Sequence, residues 1–513
     1  MKLKDHSLKT GILEGVKVLD LSRMLSGPYA TMLLADHGAE VIKIESAEGD
    51  TSRRSGPFRE NDTKKDWSGY FISLNRNKKS ICLNLKKKED LNFLKKLIKG
   101  VDVLVENFRP DVMNRLGLSF EEVSKINPRI VYGSISGFGS GIFGESLYKS
   151  WPSYDVVAQA MGGLISLTGY DENKPLKVGP GIADIFSGSL LSFGILASIL
   201  KSRATGKSQF VEVAMYDAIV SLCERAIYQY DFSGVIPKPE GNGHPLLAPF
   251  GIYNAKDGFI AIGIVENSYW TVLKKIINSD ELNSDLKYGT IALRAKNRKE
   301  LNKQINMWTK RFSKKELGVL LGAKVPFGPV NSVKELFEDE HVSNRNMILE
   351  IEQPFNKGKS WKIAGNPVKF KGFDSFNLTP PILGEHKDFY AKNLKPNVAN
   401  QEKSFFQPQK KDYRCKVTFT NRDNKAFELY ANSFTWLNSK ETHLICGINK
   451  NEFKHHEGFL KSVNFYFHEL AQQKDEHKED IELLNIKLSD KDISEVSLID
   501  TETEVLISTN MIP

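Results

Sequence analysis

Residues 178–188 read VGPGIADIFSG. One carboxylate, Asp184, stands among glycines and apolar side chains, just ahead of the run IFSGSLLSFGILASIL. A charged group rarely enters such surroundings without a partner or a task. The pattern predicts a helix that opens at Asp184 as its N-cap and ends near Gly206. Capping alone is a sufficient reason for an aspartate there. Yet the preceding glycines let backbone approach a ligand closely. A helix N-terminus also favours the ionised carboxylate, which keeps Asp184 available as a nucleophile.

Other chemistry-bearing residue types offer less. SGFGSGIFG holds a G-x-G-x-x-G at Gly139, Gly141 and Gly144, after a strand pattern. ESLYKSWPS follows, where a dinucleotide site needs a helix, so a flexible glycine loop is expected. His244 in NGHP is either substrate-facing or a satisfied loop residue. His386 in LGEH reads as structural, and His455 and His456 as part of a solvated helix face. Cys82, Cys223, Cys415 and Cys446 form no C-x-x-C pair, so neither a zinc site nor a disulfide framework is implied.

The elements that must position Asp184 alternate. GVKVLDLS (15–22) reads as a buried strand, PYATMLLADHGA as a helix closed by Gly38, and EVIKIES as a strand. SICLNL (80–85) is a strand, EDLNFLKKLIKG a helix, and VDVLVENF and RIVYGSIS are strands. Such alternation predicts a parallel sheet covered on both faces. The helix after Asp184 is apolar nearly all round and is expected to be buried. Gly and Pro cluster over 234–249, marking a loop or linker, and a smaller α+β segment runs to about residue 325. PFGPVNSVKELF returns to the pattern of the first half. From Pro396 the chain turns polar; then KVTFT, AFELYAN and THLICGI alternate in period two, and GFLKSVNFYFHELAQQ reads as a charged helix.

At 513 residues the chain exceeds one ordinary core. Its net charge is +8, and because the last 118 residues are acidic, the body before them is more basic still. A basic body suits an anionic ligand, but no Lys/Arg run or aromatic–basic motif marks a nucleic-acid site. MKLKDHSLKT lacks an apolar signal core. The longest apolar run, 185–200, is short for a membrane span. No membrane partner and a cytoplasmic location are the expectation.

Along the chain, a series of blocks is similar to the family III CoA-transferases of the CaiB–BaiF type. They are GVKVLDLSRMLSGPYATMLLADHGAEVIKIE (15–45), NRNKKSICLNLK (75–86), DVLVENFRPDVMNRLG (102–117), NPRIVYGSISGFG (127–139), YDVVAQAMGGLISLTG (154–169), VGPGIADIFSG (178–188), TGKSQFVEVAMYDA (205–218), GNGHPLLAPFGIY (241–253), VPFGPV (325–330) and PPILGEHKDFY (380–390). They occur in family order over about 15–393.

The resemblance implies a Rossmann-like α/β large domain and a small α+β domain, in a ring-shaped chain that interlocks with a second copy. The large domain would take residues 1–215 and 326–395, and the linker and small domain 216–325. A linker at 396–411 and an α+β appendage at 412–513 would follow, the appendage resembling the closing strands of PAS domains over NRDNKAFELYANSFTWLNSKETHLICGI. The resemblance places the family's nucleophile on Asp184. It implies CoA transfer from an acyl-CoA to a carboxylate, by way of an aspartyl anhydride and an aspartyl-CoA thioester, with no permanently bound cofactor.

CoA contacts are implied at Leu25, Ser26, Leu83, Asn84, Leu85, Lys86, Asn107, Phe108, Arg109, Arg115, Tyr154 and Asp155. A glycine-rich lid is implied at Gly241, Asn242, Gly243 and His244. Leu25 replaces a polar residue of the formyl-CoA type, and Ser46 an arginine, so Arg76, Lys78 or Lys79 is expected to take over adenine or phosphate contacts. α-Methylacyl-CoA racemases of the same fold carry a histidine where this chain has Tyr154, which favours transfer over proton exchange. A non-catalytic paralogue is the other alternative, and the intact Asp184 argues against it. NRNKKSI and GNGHPLLAPFG look most like members acting on dicarboxylates, with succinyl-CoA as a candidate donor.

Overall fold

The computed structural model describes residues 11–393, apart from 61, 63–66, 284, 353–359 and 374–378, and beyond them strands between Cys415 and Met511. The expected linker at 396–411, and His455 and His456, lie outside the described residues.

Six strands form a parallel sheet: β1 Lys17–Asp20, β2 Glu40–Glu45, β3 Lys78–Cys82, β4 Val103–Glu106, β5 Val131–Ser136 and β6 Gln209–Ala214. Their order is β3-β2-β1-β4-β5-β6, that of a doubly wound fold, in which ligands bind where the order reverses. Here that point lies between β1 and β4. Period-two alternation sends Val18 to one face and Leu19 to the other. Val18 joins a core with Leu34, Val105, Leu191 and Ile195. Leu19 joins one with Ile42, Leu94, Leu104 and Ile130.

The strand predictions hold in place but differ at the edges. β3 begins at Lys78, ahead of the expected residue 80. A lysine there is a poor strand signal, and its pairing with a buried carboxylate is what places it. Buried parallel strands usually read as apolar runs. This sheet instead carries Asp20, Lys43, Glu45, Lys78 and Ser80 inside. Register aligns Asp20 with Lys43, and Lys43 with Ser80, across three strands. Lys78 pairs with Asp20 at 3.0 Å, Lys43 with Asp50 at 2.9 Å, and Arg53 with Glu45 at 2.7 Å. Burial raises the Asp20 pKa, but Lys78, Lys43 and the hydroxyls of Ser22 and Thr31 outweigh it and hold it at about 2.

The helix after the glycines runs from Ile182 to Thr205, with Gly206 at its C-cap in the left-handed conformation, φ 67°. Its N-cap is Gly181 and not Asp184, which lies in the first turn. The chain enters the helix three residues earlier than a cap at Asp184 would place it, because Asp155 takes the Ala183 amide (2.8 Å) and thereby acts as the cap. The helix is buried on one side only. Ala183, Leu191, Ile195 and Ile199 face the core, while Phe193 (73%) and Leu200 (63%) are exposed. Among the described residues it is the helix long and apolar enough to cross a membrane by length and composition, and its inward side packs in the sheet core.

The small domain is an antiparallel sheet of β7 Phe250–Ala255, β8 Gly258–Gly263 and β9 Phe327–Pro329. It lies over a core that includes Trp270, Leu273, Leu301, Ile305 and Leu317. Because β9 pairs with β8, this sheet extends past residue 325. A hairpin of β10 Ile348–Glu352 and β11 Ser360–Ala364 follows, with Trp361 stacked on Trp67 at 5.2 Å. The chain then returns to β3, where the His386 amide donates to the Ser80 carbonyl (2.9 Å) and His386 Nδ1 accepts from the Ser80 amide (3.3 Å).

Residues 1–397 and 398–513 are two units. In the second, Cys415–Asn421, Ala426–Ala431, Ile493–Asp500 and Leu506–Met511 form one four-stranded antiparallel sheet, and Ser433–Asn438, Thr442–Asn449, Tyr466–Phe467 and Ile481–Lys487 another. The strands of the PAS-like stretch are thus divided between two sheets. Tyr466–Phe467 are strand within the segment expected to be helical; most of that segment lies outside the described residues.

Candidate active site

Four chain segments meet beyond the carboxyl ends of β1 and β4: the turn 21–26, the loop 106–109, the first turn of the Ile182–Thr205 helix, and the start of the Asp155–Met161 helix. Ser26 opens the Ser26–Asp36 helix after β1. Asn107 follows β4 and bridges the switch point. Its Oδ1 accepts from the Arg23 amide (2.8 Å), and its Nδ2 donates to the Arg23 carbonyl (2.8 Å) and to Ser26 Oγ (3.2 Å). The Ser26 hydroxyl stands beside the Asp184 carboxylate and, as a hydrogen-bond donor, lowers its pKa.

Asp155 completes the setting. Its Oδ1 accepts the Ala183 amide, and its Oδ2 accepts Gln159 Nε2 at 2.7 Å. Gln159 Oε1 in turn accepts the Val178 amide at 3.0 Å, tying down the glycine-rich approach. A Cβ on Gly181 would lie 2.7 Å from Leu25 Cδ2, so only glycine fits against Leu25 without displacement.

Burial, and then the negative charge of Asp155, lift the Asp184 pKa from 3.8 to about 7, against the Ser26 hydrogen bond. The helix terminus was expected to favour the ionised form of Asp184; desolvation acts against it and is the larger effect. Strongly raised carboxyls in a cleft mark functional candidates. Tyr70, in the Gly69–Asn75 helix, has its phenol pushed up to about 12, by burial and by the charges of Asp184, Asp50 and Asp155. Sequence reading missed Tyr70, Asp50 and Gln159. The charges inside strand patterns, as in VLDLS and EVIKIE, were the available signal for a buried polar network here.

The remaining expected contacts separate into three groups. Leu83 is buried in the core and Leu85 packs against it, so neither side chain is free for a ligand. Asn84, Lys86, Arg109 and Arg115 are exposed beyond the ends of β3 and β4. Phe108 lies 5.4 Å beneath the Arg23 guanidinium, and its amide donates to Glu106 Oε2 (2.8 Å).

Tyr154 is the N-cap residue of the Asp155–Met161 helix and is 70% exposed. Arg76 and Lys78 do not replace the missing arginine at Ser46. Arg76 is buried in a two-pronged pair with Asp36 (2.8 and 2.7 Å), and Lys78 is committed to Asp20. Lys79 pairs with Glu40 at 2.8 Å. Exposed cations on this edge include Arg23, Lys86, Arg109 and Arg115.

The loop Gly241–His244 belongs to the small domain. The Gly241 amide donates to the Gly169 carbonyl (2.9 Å), and Arg298 holds the loop through Glu240 and the Pro245 carbonyl (2.9 and 2.8 Å). A Cβ on Gly251 would lie 2.4 Å from the Asn242 carbonyl oxygen, so the loop rests directly on β7. His244 Nδ1 accepts the Leu246 amide (3.1 Å), and its ring packs 5.2 Å from Phe250. The satisfied-loop alternative describes its contacts. The G-x-G-x-x-G stretch is a loop with positive φ at Gly139, Gly141 and Gly144 and no helix opening on it.

A carboxyl with a raised pKa beside the switch point of a doubly wound α/β sheet marks a candidate catalytic centre. The chain belongs to CoA-transferase family III, whose model matches residues 13–387. It is 39% identical over 378 residues to a succinyl-CoA:mesaconate CoA-transferase of Haloarcula marismortui, covering 74% of this chain and 95% of that protein. It is 36% identical over 385 residues to a succinyl-CoA:glutarate CoA-transferase of Mus musculus, covering 74% and 86%. A solved CAIB/BAIF family protein from Brucella suis is similar at a TM-score of 0.67 and 31% identity, over 75% of this chain and 100% of that one.

Proposed function

We propose that this enzyme moves CoA from succinyl-CoA to a dicarboxylic acid, with Asp184 carrying the acyl group. The observation that carries the reading is Asp184 itself: a carboxyl raised to about 7, held by the Ser26 hydroxyl at the switch point of a family III fold. The names of the archaeal and mouse relatives support succinyl-CoA as donor and a dicarboxylate as acceptor.

An Asp184 oxygen attacks the thioester carbon, the C–S bond breaks, and CoA leaves as thiolate, giving a mixed anhydride. The thiolate attacks the aspartyl carbon, releasing the donor acid and forming an aspartyl-CoA thioester. An acceptor carboxylate oxygen then displaces the thiolate, and the thiolate attacks the acceptor carbonyl, which frees Asp184 and yields the new acyl-CoA. Each step passes through an oxyanion, so hydrogen-bond donors aimed at the reacting carbonyls lower its barrier. The exposed Arg23, Lys86, Arg109 and Arg115 supply cationic charge for the CoA phosphates.

The exposed phenol of Tyr154 supports transfer over racemisation, since a phenol is a poor proton shuttle near neutral pH. The exposed apolar side chains Phe193, Leu200, Ile227, Tyr230 and Phe232 support an interlocked homodimer, in which a second copy covers them. The 26% of charged residues and the inward packing of the Ile182–Thr205 helix support a cytoplasmic enzyme.

The test is a donor–acceptor screen of purified protein by mass spectrometry, with succinyl-CoA and mono- and dicarboxylates. New dicarboxyl-CoA esters are expected, with hydroxylamine trapping the label on Asp184. Transfer to none of the acids, or a label on another residue, would overturn the reading.

A further inference from the structure

The turn that delivers Ser26 is fastened from three sides. Met24 lies in the left-handed region, φ 64°, which a long side chain seldom occupies. Its amide donates to both oxygens of Asp50 (3.2 and 3.3 Å). Asp50 is held in turn by buried Lys43, which also donates to the Ser22 carbonyl (2.9 Å). From β4, Asn107 grips the Arg23 backbone and Ser26 Oγ. From the long helix, a Cβ on Gly188 would lie 2.6 Å from the Ser26 carbonyl oxygen, so two backbones touch beside Ser26. Ser26 is 3% exposed, which leaves its hydroxyl little room for CoA. Asn107 donates to that hydroxyl, so the single hydroxyl proton points to Asp184.

We propose that Ser26 is a catalytic residue, whose hydroxyl stays on one Asp184 oxygen through the cycle and stabilises the oxyanion formed there when the aspartyl carbon is attacked. The proposal rests on Asp184 being the nucleophile. The Asp184 oxygen not bound by Ser26 attacks the donor and becomes the bridging oxygen of the anhydride. The Ser26-bound oxygen is left as the aspartyl carbonyl oxygen. When CoA thiolate attacks that carbon, a C–S bond forms and the C=O electron pair moves onto the oxygen facing Ser26. Collapse returns the pair, breaks the C–O bond to the bridging oxygen and expels the donor carboxylate. In the second half the acceptor carboxylate adds and thiolate leaves, with the same oxygen again bearing the charge. No proton is consumed. The hydroxyl–oxygen bond strengthens as charge develops, which is the condition for a rate effect beyond ground-state binding.

The test measures turnover, donor KM and the pH dependence of kcat/KM for wild type, Ser26→Ala, Ser26→Thr and Asp184→Asn. A donor of this kind contributes on the order of 10²–10³ in kcat, so Ser26→Ala is expected to lose about that much while donor KM changes less than about threefold. The titrating limb should also move to higher pH, because Asp155 and Tyr70 still face the carboxyl and only the favourable hydrogen bond is gone. Ser26→Thr keeps the hydroxyl and should retain most of the rate. The acyl label on Asp184 should still form in Ser26→Ala, and aspartyl-CoA thioester should appear slowly. If Ser26→Ala turns over within threefold of wild type, if its pH limb is unmoved, or if threonine is as slow as alanine, the proposal is wrong, even with Asp184→Asn inert. If Asp184→Asn is active, the nucleophile assignment itself fails, and that outcome is distinct from the others.

Discussion

Asp184 is under two opposed demands. Attack on a thioester needs the carboxylate, and burial favours the acid. With its pKa at about 7, kcat/KM for the donor should rise as pH increases through about 7 and then level, as read from initial rates. The same shift bears on stability. A carboxyl whose folded pKa lies above its unfolded one binds its proton more tightly when folded. Its stabilising contribution is full below the unfolded value near 3.8 and is lost as pH rises through about 7. Replacing it by the neutral isostere Asp184→Asn removes that loss. The variant should therefore unfold at the same or a higher temperature than wild type at pH 8, while losing nearly all turnover. A thermal melt that falls by several degrees at pH 8 would show that Asp184 holds the fold together and that its placement is not for chemistry alone.

The elements around Asp184 act through close approach. The Ser26–Asp36 and Ile182–Thr205 helices cross at Gly188, where an added methyl would sit 2.6 Å from the Ser26 carbonyl oxygen and 3.3 Å from Tyr29 Cδ1. Backbone cannot yield as a side-chain tip can. Gly188→Ala should cost roughly 1–3 kcal/mol, as overpacking does, and should slow turnover by displacing Ser26 from Asp184. Denaturant melts and initial rates check both; an alanine variant with unchanged rate would mean that the helix contact does not set the site. Such a contact was not legible in the sequence, because GPGIADIFSG shows glycines without showing which one meets a neighbour. The alternation of strands and helices was legible, since Val18, Leu19, Val41 and Ile42 report which faces are buried. The N-cap was misread because Asp155, remote in sequence, does the capping. Arg76 and Lys78 were expected at the CoA adenine or phosphates because their partners, Asp36 and Asp20, come from other elements.

At the scale of the whole molecule, the question is what the tail adds. The body to residue 397 is one compact unit, and the family model ends at residue 387. The archaeal relative is covered over 95% of its own length by 378 matched residues, so nearly all of its sequence corresponds to this body. The residues assigned to chemistry and to the CoA phosphates lie between Arg23 and Asp184, and the loop that could shield them ends at His244. A chain ending at residue 397 retains both cores of the large sheet and that of the small domain. It should fold, and by light scattering it should be a dimer at micromolar concentration, because the exposed apolar side chains that a second copy would cover belong to the body. Its turnover with succinyl-CoA and a dicarboxylate should lie within about threefold of the full chain. Loss of transfer by a truncated protein that still melts cooperatively and still dimerises would instead place the tail in the site or its control. A monomer with full activity would remove the interlocked assembly from the mechanism and leave Ser26 and Asp184, both from one chain, as a self-sufficient centre.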